Sequence, residues 1–154
     1  MADPIERRLR VVLAEDSVLL REGLARMLAD HDIEVVAALG DASGVLDAVT
    51  ELEPDLVLLD VRMPPTHTDE GIRAALEVRT HHPGVAVLVL SQYVEERYAG
   101  DLLSGEVAGV GYLLKDRVIV EQPRKTRRKQ KQLTLIQEMQ QGYQFARGSS
   151  LMKW

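Results

Sequence analysis

The chain has 154 residues, 45% of them hydrophobic and 28% charged, which is the make-up of one soluble domain with a sizeable core plus a short extra piece. It contains no cysteine, which rules out a disulfide framework and any thiolate metal site. The net charge of -5 conceals a division: Met1 to Val120 holds 11 Lys+Arg against 22 Asp+Glu, whereas Glu121 to Trp154 holds 8 against 2. That asymmetry predicts two segments, a domain over 1–120 and a basic, partly helical tail over 121–154 of separate origin.

In chain order, the first apolar strand-like run is "LRVVLAE", Leu9 to Glu15, which delivers Glu15 and Asp16 to a turn. Leu20, Leu24, Met27 and Leu28 then share one face at helical spacing, before a second run from Ile33 to Leu39. Val45, Val49 and Leu52 mark another helix. The run "DLVLLD", Asp55 to Asp60, follows and ends on an aspartate just before Met63-Pro64-Pro65. Ile72, Ala75 and Leu76 predict a third helix, "VAVLVLS" (Val85 to Ser91) a fourth strand, and Val94, Tyr98 and Leu102 a further helix. The fifth run, "VGYLLK", closes the domain at Lys115. Strands apolar on both faces, alternating with amphipathic helices, predict a doubly wound α/β domain with a parallel sheet. The longest fully apolar stretch, Val85 to Leu90, is of strand length, so a cytoplasmic protein with no membrane partner is expected.

In such a sheet the functional site lies at the carboxyl ends of the strands. Glu15, Asp16, Asp60, Ser91 and Lys115 all fall at that edge. A single acid at a strand end is ordinarily a helix or turn cap. Five polar residues at the matched ends of four strands are hard to obtain from capping alone. Carboxylates brought together repel, and a bound cation relieves them. Oxygen-only ligands favour a hard ion such as Mg²⁺ over zinc.

The set Glu15-Asp16, Asp60 followed by "VRMPP", Ser91, and Lys115 in "GYLLK" resembles a response-regulator receiver domain of the NarL/FixJ (LuxR-type) transcriptional regulator group, over about Leu9 to Val118. The resemblance implies a flavodoxin-like five-stranded parallel sheet in the order 2-1-3-4-5. It implies Asp60 as phosphoacceptor and Mg²⁺ held by Glu15, Asp16, Asp60 and the main-chain carbonyl of Arg62. Ser91 and Lys115 would bind the phosphoryl group, and Ser91 and Tyr112 would switch an output face on the fourth helix and fifth strand. A sensor histidine kinase would be the donor and transcription the output, with a homodimer through that face or through the tail. The domain would not be an enzyme beyond self-phosphorylation and autodephosphorylation.

Two other readings compete. An aspartate-nucleophile phosphohydrolase also places its aspartate at a strand end, but usually needs an acid-base Asp two residues later, where Arg62 stands. A receiver-like scaffold working without phosphorylation has no need of the full acidic set. "GVGYLL" lacks the third glycine of a dinucleotide fingerprint and enters a strand, and "GDASG" lacks the Lys-Ser/Thr of a phosphate loop. His67, in the loop "PPTHTDEG", is expected to be solvated, and His81-His82 to point apart. In the tail, Pro123 interrupts any helix continuing from Lys115. A helix is expected over about Arg124 to Gln141, with Leu133, Ile136, Met139 and Tyr143 forming its apolar stripe. It would replace or alter the fifth helix, or bind a second chain. With no helix-turn-helix to aim side chains at base edges, the basic run Arg124 to Lys131 is expected to bind no DNA sequence-specifically.

Overall fold

The computed structural model describes residues 8–91, 110–115 and 134–143. Within them the chain alternates β1 (Arg10–Ala14), α1 (Val18–Asp30), β2 (Glu34–Leu39), α2 (Val45–Leu52), β3 (Leu56–Asp60), α3 (Glu70–His81), β4 (Ala86–Ser91) and β5 (Val110–Leu114). The five strands form one parallel sheet in the order β2-β1-β3-β4-β5, as expected. The order reverses between β1 and β3, so the crevice of the doubly wound fold opens at the ends of those two strands.

The period-two alternation of strand side chains divides the core cleanly. Val11, Leu13, Leu56, Leu58, Leu88, Leu90 and Leu113 face one side and pack with Leu24, Met27 and Leu28 of α1. Val12, Ala14, Val57, Leu59, Val87 and Val89 face the other and pack with α2 and α3. Every residue of β3 and β4 is buried, which explains their unbroken apolar runs. β2 departs from that expectation: as an edge strand it is nowhere fully buried, and its register against β1 skips Val36. In α3 the buried arc holds Gly71, Ile72, Ala74, Ala75 and Val78. Leu76, expected inside, lies off that arc and is 37% exposed.

Residues 134–143 are helical, and Leu135, Ile136 and Met139 join the core on the face of the sheet that α1 covers. The tail thus supplies a helix to the sheet. Of the expected apolar stripe, Ile136 and Met139 are buried and Tyr143 is half-buried, Leu135 is buried in addition, and Leu133 lies outside the described residues. The expected helix around Val94, Tyr98 and Leu102 and the basic run Arg124 to Lys131 also lie outside them. Among the described residues no helix is long and apolar enough to cross a membrane.

Candidate functional site

Four of the five strands, β1, β3, β4 and β5, end in polar groups at the same edge. β1 passes into Glu15, whose N–H still bonds Leu39 O at 2.9 Å, so the residue continues the ladder while its side chain turns into the crevice, 2% exposed. Ser17, not the acids, caps α1, its hydroxyl accepting from the Leu20 N–H. That frees the carboxylates from the capping role that an acidic pair before a helix usually has. The Arg21 guanidinium crosses back to donate to Glu15 O at 2.7 Å, pinning the turn.

β3 ends at Asp60, 5% exposed and opposite Leu90 of β4, and the Val61 N–H continues the pairing to Leu90 O. Val61 and Met63 are buried anchors on either side of exposed Arg62, and the Pro64-Pro65 bond is cis. The Gly71 N–H then returns to Val61 O at 2.9 Å. A Cβ on Gly71 would stand 1.8 Å from Asp60 O and 2.9 Å from Val61 Cα. Only glycine lets the start of α3 approach the Asp60 backbone so closely. The sequence did carry a signal for it, since glycine in a helix costs about 1 kcal/mol relative to alanine and calls for a reason.

Glu15, Asp16 and Asp60 bring carboxylate oxygens within 4.8 Å of one another. Lys115, just past β5, reaches in with Nζ 2.9 Å from Asp60 Oδ1 and 3.4 Å from Glu15 Oε2. Among the described residues one ammonium therefore pairs with two of the three acids. Burial, reinforced by the nearby Asp60 charge, pushes the Glu15 carboxyl up to about 7, with Lys115 opposing. Burial likewise raises Asp60 against the pull of Lys115. Burial disfavours the charged Lys115, but the Asp60 and Glu15 carboxylates outweigh it and hold the ammonium above its ordinary range. Glu15 Oε2 has Lys115 within ion-pair distance, yet among the described residues no donor in hydrogen-bonding geometry. A buried oxygen so placed, in an all-oxygen cluster with excess negative charge, fits a hard divalent cation.

Ser91, fully buried, ends β4 beside Asp60's strand, and Tyr112 lies opposite Val89 in β5. The Tyr112 side chain lies outside the described residues. Glu15, Asp16, Asp60 and Lys115 are thus brought together, with Ser91 and Arg62 on the adjoining segments. His67 is exposed, as expected, but it also has an unforeseen partner: its Nε2 stands 3.3 Å from Asp16 Oδ2. The loop's turn at His67, with φ of 54°, swings the ring back over the crevice, a path that spacing alone could not reveal. His81 and His82 do diverge, toward Glu77 O and Thr50 Oγ1.

Residues 11–122 match the family model described as the response regulator receiver domain. The transcriptional regulatory protein DegU of Brevibacillus brevis is 35% identical over 112 residues, 72% of this chain and 45% of DegU. The oxygen regulatory protein NreC of Staphylococcus haemolyticus is 30% identical over 109 residues, 70% of this chain and 48% of NreC. The chain therefore spans about half the length of the curated relatives it matches. Among solved structures, the signal receiver domain of NarL from Mycobacterium tuberculosis superposes with a TM-score of 0.65 at 26% identity, covering 93% of this chain and 99% of that one. The response regulator domain of Thermotoga maritima CheB, at 21% identity and a TM-score of 0.66 over 89% of this chain and 97% of its own, shares the fold. Strand order, acidic crevice and sequence agree: the chain belongs to the response regulator receiver domain family, in its NarL/LuxR-type branch.

Proposed function

We propose that Asp60 accepts a phosphoryl group from a sensor histidine kinase and that the modified domain controls transcription within a longer regulator. A receiver is a signalling domain, not an enzyme, and the observation that carries the reading is the Lys115 ammonium 2.9 Å from Asp60 Oδ1 beside a cluster of three carboxylates. Glu15, Asp16 and Asp60, with the Arg62 main-chain carbonyl, would hold Mg²⁺. When bound, the ion supplies positive charge that shields the phosphoryl oxygens from the acids.

The chain's own residues do the rest. A carboxylate oxygen of Asp60 forms the new bond to phosphorus as the bond from phosphorus to the donor's imidazole nitrogen breaks, and that imidazole leaves with the electron pair. Gly71 and the Val61 ladder bond fix the Asp60 backbone during the attack. Lys115 exchanges its carboxylate partner for a phosphoryl oxygen, and the Ser91 hydroxyl donates to another. The phosphoryl group of the acyl phosphate carries about -1.5 to -2 charges in place of the single carboxylate charge it consumes. Movement of Ser91 toward them lets Tyr112 follow, which alters the face used for a homodimer or for output.

Intact mass after treatment with acetyl phosphate and Mg²⁺ tests the reading. Wild type should gain one phosphoryl group that hydroxylamine removes, and Asp60→Asn should gain none. A gain that survives in Asp60→Asn, or one undiminished in excess EDTA, rejects it. Steady multiple turnover of a phosphomonoester would favour the phosphohydrolase alternative.

A further inference from the structure

The loop between β3 and α3 holds a side chain in a costly backbone conformation for no packing reason. His67 has φ of 54°, in the left-handed region that non-glycine residues avoid, and its ring is largely exposed. The conformation is nonetheless held from every side. The His67 N–H donates to Met63 O at 2.9 Å, and Met63 is fully buried. Thr66 and Thr68, the two neighbours, both give their N–H groups to the Glu70 carboxylate, at 2.8 and 2.9 Å. The Thr66 hydroxyl, which also donates to Glu70, and then those N–H bonds draw the Glu70 carboxyl down to about 2, so it stays ionised as their acceptor. A backbone outlier so thoroughly held is grounds for seeking a function at that residue. What the conformation achieves is visible at the end of the ring, where Nε2 lies 3.3 Å from Asp16 Oδ2.

Asp16 is the one member of the acidic group that Lys115 does not pair with, and it is the least buried. A carboxylate on the rim of a crevice rotates freely unless something holds it. An ionised carboxylate can only accept, so Nε2 carries the hydrogen in this contact. With Oδ2 engaged by His67, the other oxygen of Asp16 stays available to an ion. Outer partners of this kind orient carboxylate ligands and tune the affinity for the ion they bind.

We propose that His67 is a positioning residue for the cation site: from the strained loop it holds the Asp16 carboxylate in the orientation that receives the divalent ion. The inference rests on the reading of Glu15, Asp16 and Asp60 as cation ligands. It concerns the affinity for the ion, so the phosphorylation step itself is not needed to examine it.

Calorimetric titration of the full chain with MgCl₂ supplies the test, alongside thermal unfolding of each metal-free variant. His67→Asn suits the left-handed backbone but is too short to reach Asp16, and should weaken Mg²⁺ binding about tenfold without lowering the melting temperature. His67→Gln extends an amide N–H to about the place of Nε2 and should recover binding to within about threefold of wild type. Asp16→Asn should lose most of the affinity. If wild type binds Mg²⁺ and Asp16→Asn does not, but His67→Asn matches wild type, the positioning role is wrong and the site stands. Tighter binding by His67→Asn would also overturn it, by making His67 a competitor for Asp16. If wild type itself shows no Mg²⁺ binding, the reading of the acids as cation ligands fails first, and this inference goes with it.

Discussion

At the amino edge of the sheet, Arg10 gives its N–H to Asp55 Oδ2 at 2.9 Å, and its guanidinium donates to Leu52 O and Glu53 O at 2.7 and 3.1 Å. The Asp55 N–H returns to Arg10 O, so the polar groups there find complementary partners in the adjoining turn. At the carboxyl edge, among the described residues, three carboxylates gather beside one ammonium that pairs with two of them, and a buried Glu15 oxygen lacks a hydrogen-bond donor. Both edges belong to the same strands and the same core. Pairing at the first edge serves the fold, whereas the charge excess at the second is retained against it, as expected where stability has been given up for chemistry.

The largest effect expected from disturbing this contrast is at Gly71. A methyl group there meets backbone atoms, which cannot swing aside as a side-chain tip can. Gly71→Ala should therefore push the start of α3 away from β3, destabilising the domain by about 3–5 kcal/mol, the upper end for overpacking. Phosphorylation should fall with it, since Asp60 is the residue displaced. Urea unfolding and intact mass check the two parts. Wild-type stability in Gly71→Ala would mean that α3 can shift freely and that the glycine has no role in placing Asp60.

Second in size is the pH dependence created by Glu15. Its carboxyl lies near 7 in the fold, against 4.5 in an unfolded chain, because burial and then the Asp60 charge disfavour ionisation. The folded state therefore binds the proton more tightly. The stability this supplies is full below pH 4.5 and is lost as pH rises through about 7. In metal-free protein, Glu15→Gln should escape the loss and gain on the order of 3 kcal/mol over wild type between pH 4.5 and 8. Added Mg²⁺ should reverse the ranking at pH 8, because only wild type keeps the carboxylate for the ion. Parallel pH curves for the two proteins would show that the crowding at this edge has no energetic consequence.

The sheet was legible in the sequence because its strands are uniform: "LVLLD" and "AVLVLS" are buried at every position, and such runs have few other uses. The site was legible for the same reason, since residues that end parallel strands come together whatever the loops do. What escaped were features set by loop paths and by packing angles. The burial of Leu135, which the expected stripe does not include, depends on how the tail helix is rotated against the sheet. Leu76 was misplaced because α3 turns its small residues, Gly71, Ala74 and Ala75, toward β3 and β4. His67 reaches Asp16 only through a left-handed turn that its residue type does not announce.

The smallest effect belongs to the amino edge, and it calibrates the other two. Arg10→Ala removes the bonds to Leu52 O and Glu53 O, two carbonyls left over where α2 ends and Glu53 adopts φ of 50°. These bonds are partly open to water, which can replace the lost donor, so about 1–2 kcal/mol is the expected cost. The change should lie in the urea midpoint, with an unaltered m-value, because the same surface is exposed on unfolding. Mg²⁺ affinity and Asp60 phosphorylation should stay at wild-type levels, since the strand between the two edges is packed on both faces and offers no second arrangement to transmit the loss. A fall in Mg²⁺ affinity in Arg10→Ala beyond about twofold would show that the edges are coupled through β1, and the separation between a satisfied edge and a reactive one would not hold.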